Sequence, residues 1–206
     1  MNDVNSEVKN FSALLLGDSI SLSYREIVRY LLRNEMQIFY PPENGRFVAY
    51  TFRALYEWSR DLNWSSDTQI VYWNNGLWDV VRIFGDEPQT PLSDYGILIE
   101  RTFNRLKYLF PQAKIIFATS TPVLEGRFDR KIFYRNNADI EKYNDVAREI
   151  ILKNGGFVHD LYALTKNFPL QAYQDATHFV PKACEFMALN VANVLNEVKN
   201  NSVKKF

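Results

Sequence analysis

Five short apolar runs, each followed by a stretch with helical spacing, constrain this chain more than any other feature. The runs are residues 11–16, 36–40, 69–73, 113–118 and 157–159. A run this short and this apolar reads as a strand buried on both faces. Apolar residues recur three and four apart over 24–33, 51–62, 94–109, 139–153 and 181–200. In the first of these, Ile27, Val28, Tyr30, Leu31 and Leu32 make the face; in the second, Phe52, Leu55, Tyr56 and Trp58 do. Strand and helix alternating in this way predict an α/β protein, with a mainly parallel sheet covered by helices on both faces.

Local punctuation agrees with those boundaries. Pro41 and Pro42 stop the second strand, because proline cannot donate to a ladder. Gly155 and Gly156 suit a helix end, and Pro181 suits a first helical turn. Residues 81–92 read as a loop and 126–135 as a charged, irregular insertion. No shift in composition and no internal repeat divides the chain. One domain over residues 1–206 is expected, with flexible ends at 1–10 and 200–206.

Charge and cysteine content remove several classes. Lys plus Arg number 24 and Asp plus Glu number 24, so the formal net charge is zero. A nucleic-acid partner would call for a basic excess or stripe, and none is present. The single cysteine, Cys184, rules out an internal disulfide and fits a reducing compartment. It falls in a helix rich in Ala, Phe and Met, which predicts a buried, inert thiol. The first ten residues lack a hydrophobic signal region, and no apolar run approaches the roughly 18 residues of a membrane span. No membrane partner and a cytoplasmic location are the expectations.

Chemistry enters at the ends of the predicted strands. Gly17-Asp18-Ser19-Ile20 follows the first strand, and Asp175-Ala176-Thr177-His178 precedes the last helix. Together they supply a hydroxyl nucleophile, an imidazole base and a carboxylate to orient the base, the components of acyl transfer through a serine ester. In a doubly wound sheet the loops after the strands line the ligand crevice. Ser19, Gly45, Asn74, Asn75 and the segment 119–122 all fall on that edge. Capping competes for the first motif, because Asp and Ser are both good N-caps; Asp18 can cap while Ser19 attacks. An imidazole exchanges protons near neutrality, which suits His178 as the base. The other histidine, His159, lies in an apolar strand and reads as a packed, hydrogen-bonded core residue. Asn74-Asn75-Gly76 offers side-chain amides that could donate to an oxyanion, or a plain Asn-Gly turn. One other His and one Cys are too few for a zinc site built on Asp175 and His178, and no glycine-rich phosphate loop occurs. No metal or cofactor is expected.

These blocks resemble those of the SGNH (GDSL-type) hydrolases, from Gly17 to His178. The resemblance implies a flavodoxin-like, three-layer α/β/α sandwich on a five-stranded sheet. It implies a triad of Ser19, His178 and Asp175, and an oxyanion hole from Ser19, Gly45 and an Asn. Two blocks depart from the usual pattern. The third is Asn74-Asn75-Gly76-Leu77-Trp78-Asp79 instead of Gly-x-Asn-Asp. It is similar to an Asn-x-Gly-Leu-His-Asp variant, which puts the amide on Asn74 with Asn75 second. In the second block Gly45 sits in Glu43-Asn44-Gly45-Arg46.

The expected activity is hydrolysis of short acyl esters, acetyl above all, on a small molecule or saccharide. A non-catalytic carbohydrate-binding relative and an acyltransferase with the same triad are the alternatives. Trp73, Trp78 and Arg46 are the candidate substrate contacts, with core packing as the competing reading for the aromatics. The arginines of 127–135 could meet an anion or form a solvated loop.

Overall fold

Residues 11–62 and 64–200 are described by the computed structural model of this chain. The expected flexible ends at 1–10 and 201–206 lie outside the described residues; Asn200 is the C-cap of the last helix.

Five strands form one parallel sheet: β1 (Ser12–Leu16), β2 (Gln37–Phe39), β3 (Ile70–Trp73), β5 (Lys114–Ala118) and β7 (Phe157–His159). Their spatial order is β2-β1-β3-β5-β7, and every neighbouring pair is parallel. The helices are α1 (Ser19–Leu31), α2 (Val48–Asp61), α3 (Leu92–Leu109), α4 (Asn137–Lys153), α5 (Leu161–Thr165) and α6 (Pro181–Lys199). α1 packs on α6, α2 on α3, and α3 on α4. The result is an α/β/α arrangement in which β1 and β3 are buried almost end to end, as their unbroken apolar runs require.

The chain leaves β1 toward β2 and leaves β3 toward β5, in opposite directions across the sheet. The loops therefore diverge between β1 and β3 and open a crevice at their carboxyl ends. Ser19 and Asn74 both border it.

Three short elements are absent from the sequence reading. The supposed loop 81–92 and the supposed irregular insertion 126–135 contribute β4 (Arg82–Ile83) and β6 (Phe133–Tyr134), which pair antiparallel. A strand of two residues carries no detectable period. The five-residue helix α5 was also missed; Asp160 caps it by accepting the Ala163 N–H at 3.0 Å. Cys184 is buried, as expected. Among the described residues no helix is long and apolar enough to cross a membrane.

Candidate active site

The tight turn out of β1 is possible because residue 17 is glycine. A Cβ there would stand 1.9 Å from Asn74 Oδ1. Asp18 then caps α1, its Oδ1 accepting the Ile20 N–H at 3.0 Å. Ser19 becomes the first residue of the helix, where the backbone N–H lies outside the helical ladder. Capping and presentation of the hydroxyl thus coexist, on adjacent residues.

The loop from the other end of the chain is a small hairpin. Tyr173 and Phe179 form an antiparallel bridge, and Val180 N–H donates to Ala172 O at 2.9 Å. At its tip Asp175 Oδ1 accepts the N–H groups of Thr177 and His178, both at 2.7 Å. Asp175 Oδ2 faces His178 Nδ1 at 2.7 Å, and His178 Nε2 faces Ser19 Oγ at 2.8 Å. A carboxylate can only accept. Nδ1 must therefore carry the proton, which leaves Nε2 of a neutral ring free to accept from the hydroxyl. Burial alone would raise the Asp175 carboxyl; the His178 and Thr177 N–H groups and the imidazole outweigh it and hold the group below the ordinary value. The side chains of His178 and Asp175 are 40% and 51% exposed, so the relay opens to solvent.

The neighbouring groups differ in what they are bonded to. Asn74 is buried beside Gly17 and Asp18, with its Oδ1 unpartnered. Asn75 is committed at both ends: its Oδ1 accepts Trp73 Nε1–H at 2.6 Å, and its Nδ2 donates to Arg46 O at 2.8 Å. The Asn74 amide is outside that brace and acts instead on the neighbouring Asp18 carboxyl. Gly45 also departs from expectation, because its N–H donates to Gly17 O at 2.8 Å rather than facing the crevice. It is a brace between the second block and the serine loop, not a free oxyanion donor.

The substrate candidates separate likewise. Trp73 is fully buried, edge-on to Phe117 with ring centroids 5.1 Å apart, so it cannot stack on a ligand. Trp78 is half-buried. Arg46 is exposed, with its guanidinium 4.6 Å from the Tyr50 ring centre. His159 is the expected core residue, with Nδ1 2.8 Å from the Tyr72 hydroxyl.

Two charged residues went unrecognised. Asp79 is buried and accepts the Val48 N–H at 3.0 Å and the Thr90 hydroxyl at 2.8 Å, fixing the start of α2. Burial pushes its carboxyl up to about 7, against the pull of those donors. Arg135, expected in a solvated or anion-facing segment, is instead buried beneath the site. Its Nε donates to Leu77 O, and its Nη1 to Thr177 Oγ1 at 3.2 Å. Burial lowers the guanidinium to about 10, with Asp18 and Asp175 pulling the other way. The buried Asp18 carboxyl is raised by burial, opposed by the Asn74 side chain, the Ile20 N–H, and the charges of Arg135 and His178. Among the described residues no group of three His, Cys, Asp or Glu side chains is arranged to hold a metal.

No protein-family model matches the sequence, and no curated protein matches it either. Solved structures do. The lipase/acylhydrolase from Enterococcus faecalis is similar with a TM-score of 0.71, at 17% identity, over 95% of this chain and 98% of its own. The acetyl xylan esterase AlAXEase gives 0.69 at 15% identity, over 89% and 99%. A protein from Slackia heliotrinireducens provisionally described as an SGNH hydrolase gives 0.63 at 14% identity, over 91% and 100%. The fold is that of the SGNH hydrolases. A variant of the acetyl xylan esterase from Geobacillus stearothermophilus has it too, with a TM-score of 0.66 at 19% identity over 90% and 94%. Identities this low establish the shared SGNH fold; the chemistry has to come from the residues.

Proposed function

We propose that this chain is a serine ester hydrolase that removes short acyl groups, acetyl above all, from a carbohydrate or similar alcohol. One observation carries the reading: Ser19 Oγ, His178 and Asp175 form an unbroken relay with contacts of 2.8 and 2.7 Å. Ser19 attacks the ester carbonyl while Nε2 of His178 takes its proton. Asp175 keeps the ring in the competent tautomer and stabilises the imidazolium. The Ser19 N–H at the start of α1, and the Asn74 amide, are the donors we assign to the tetrahedral oxyanion. One such donor contributes roughly 3 to 4 kcal/mol. His178 then protonates the leaving alcohol, and the same cycle with water releases the acid.

The substrate assignment draws on two further points. The relay is open to solvent, which suits an ester displayed on a large polar alcohol. Two of the similar structures are acetyl xylan esterases. Trp78, half-buried in the loop after β3, and Arg46, exposed with its carbonyl bonded to Asn75, are the contacts we assign to the alcohol portion.

The deciding experiment pairs p-nitrophenyl acetate turnover with a fluorophosphonate probe. The expected result is turnover by the wild type, loss of several orders of magnitude in Ser19→Ala, and a mass adduct on the peptide containing Ser19. Undiminished turnover in Ser19→Ala, or an adduct on another serine, rejects the assignment.

A further inference from the structure

We propose that Arg135 is a positioning residue, a buried guanidinium that clamps the Asn74–Asp79 loop to the Asp175–His178 hairpin. Its Nε donates to the carbonyl of Leu77, three residues beyond Asn74. Its Nη1 donates to the hydroxyl of Thr177, next to His178, at 3.2 Å. One planar fork therefore touches both segments that must stay in register with Ser19. The first follows β3 and the second follows α5, and the two share no ladder, so no strand pairing fixes their separation.

Several features show that the position is built for this side chain. Burying a cation is costly unless it is compensated. Among the described residues no carboxylate lies within ion-pair distance of Arg135, yet the fields of Asp18 and Asp175 both act on it. It is held by hydrogen bonds and by charges at a distance, not by a surface partner. The β4–β6 ladder ends immediately before it, and the guanidinium lies 5.0 Å from the Phe133 ring centre. That ladder is the device that carries Arg135 under the site. Lysine could not substitute, because one ammonium on a flexible stem lacks a rigid fork reaching two acceptors.

The kinetic part of the test rests on the ester-hydrolase reading; the exchange part does not. Arg135→Lys should lower kcat for p-nitrophenyl acetate roughly a hundredfold, the scale of an ångström-sized misplacement. KM should stay within about threefold, as for a loss confined to the transition state. Thr177→Val removes one acceptor and leaves the cation in place; it should also lower kcat. The double variant should be no slower than Arg135→Lys, because both changes open the same clamp. Wild-type kcat in either single variant, or effects that multiply independently, overturns the proposal. Should Arg135→Lys not fold, Thr177→Val alone decides by the same criterion. Amide hydrogen exchange over residues 174–179 is read without substrate. Faster exchange in Arg135→Lys or Thr177→Val supports the clamp even if the wild type cleaves no ester, an outcome that sinks the hydrolase reading alone. Unchanged exchange in both sinks the clamp.

Discussion

Asp175 holds His178 twice, through different oxygens. Oδ1 accepts the histidine's own backbone N–H at 2.7 Å, and Oδ2 faces its Nδ1 at 2.7 Å. Because Oδ1 also takes the Thr177 N–H, the carboxylate has a single sensible orientation. The hairpin tip and the imidazole are thereby fixed by one side chain.

That double grip makes Asp175→Asn informative. The Asn carbonyl must take the place of Oδ1 to accept both backbone N–H groups. Its NH₂ then faces Nδ1, which must become an acceptor, and the proton moves to Nε2. The ring now points a donor at Ser19 and cannot take its proton. The expected fall in kcat is about 10³- to 10⁴-fold on the pattern of serine hydrolases, with thermal stability little changed. Steady-state turnover of p-nitrophenyl acetate checks it, and a fall of less than tenfold would contradict the tautomer argument.

Two buried groups give the fold a pH signature of opposing sign. Burial raises Asp79 from 3.8 to about 7, so the folded chain keeps a proton that the unfolded chain releases. Its contribution is complete below pH 3.8 and is lost as pH rises through about 7. Burial lowers His159 from 6.5 to about 4, so the folded chain refuses a proton that the unfolded chain takes. That contribution is complete above pH 6.5 and is lost as pH falls through about 4. They are worth on the order of 4 and 3 kcal/mol, respectively. Asp79→Asn keeps an acceptor for Val48 and Thr90 but cannot titrate. Its Tm relative to wild type should climb between pH 4 and 7.5, read by calorimetry at several pH values. A constant difference would mean that Asp79 does not titrate in this window.

Those features were legible in the sequence to unequal degrees, for physical reasons. Doubly buried strands such as β1 and β3 show as unbroken apolar runs, so the sheet could be read from composition along the chain. Ser19, Asp175 and His178 sit at strand ends and before a helix, where local rules place them on one edge. Trp73 could have been read correctly, since a strand buried on both faces leaves neither side for a ligand. Gly45 could not: its N–H direction depends on Gly17 O, which approaches from a distant turn. Arg135 was indistinguishable from Arg127 and Arg130, because its burial comes from a ladder of two-residue strands.

The two tryptophans should therefore separate cleanly. Trp73→Phe removes the donor to Asn75 Oδ1 and leaves a buried acceptor unpaired. A loss of about 1 to 3 kcal/mol in stability is expected, with KM unaltered. Trp78→Ala should raise KM for an acetylated saccharide and leave Tm nearly in place. Denaturant unfolding and saturation kinetics on both variants check the contrast. A raised KM in Trp73→Phe with normal stability would reverse the assignment.

Gly45→Ala tests the brace between the second block and the serine loop. An added Cβ would stand 2.8 Å from Gly17 O and 3.0 Å from Thr51 Oγ1, both buried and neither at the end of a flexible side chain. The backbone at Gly45 is not in the left-handed region, so the effect is one of space alone. Relief has to come from moving the Gly17–Ser19 turn away, which lengthens the reach from Ser19 Oγ to His178. Overpacking of this kind costs about 1 to 3 kcal/mol, and displacing Ser19, the nucleophile we propose, by a fraction of an ångström should lower kcat by roughly ten- to a hundredfold. Gly126→Ala, where an added Cβ meets nothing within 4 Å, is the matched control and should behave as wild type. Equal kcat in the two variants would show that the serine loop does not depend on its contact with Gly45.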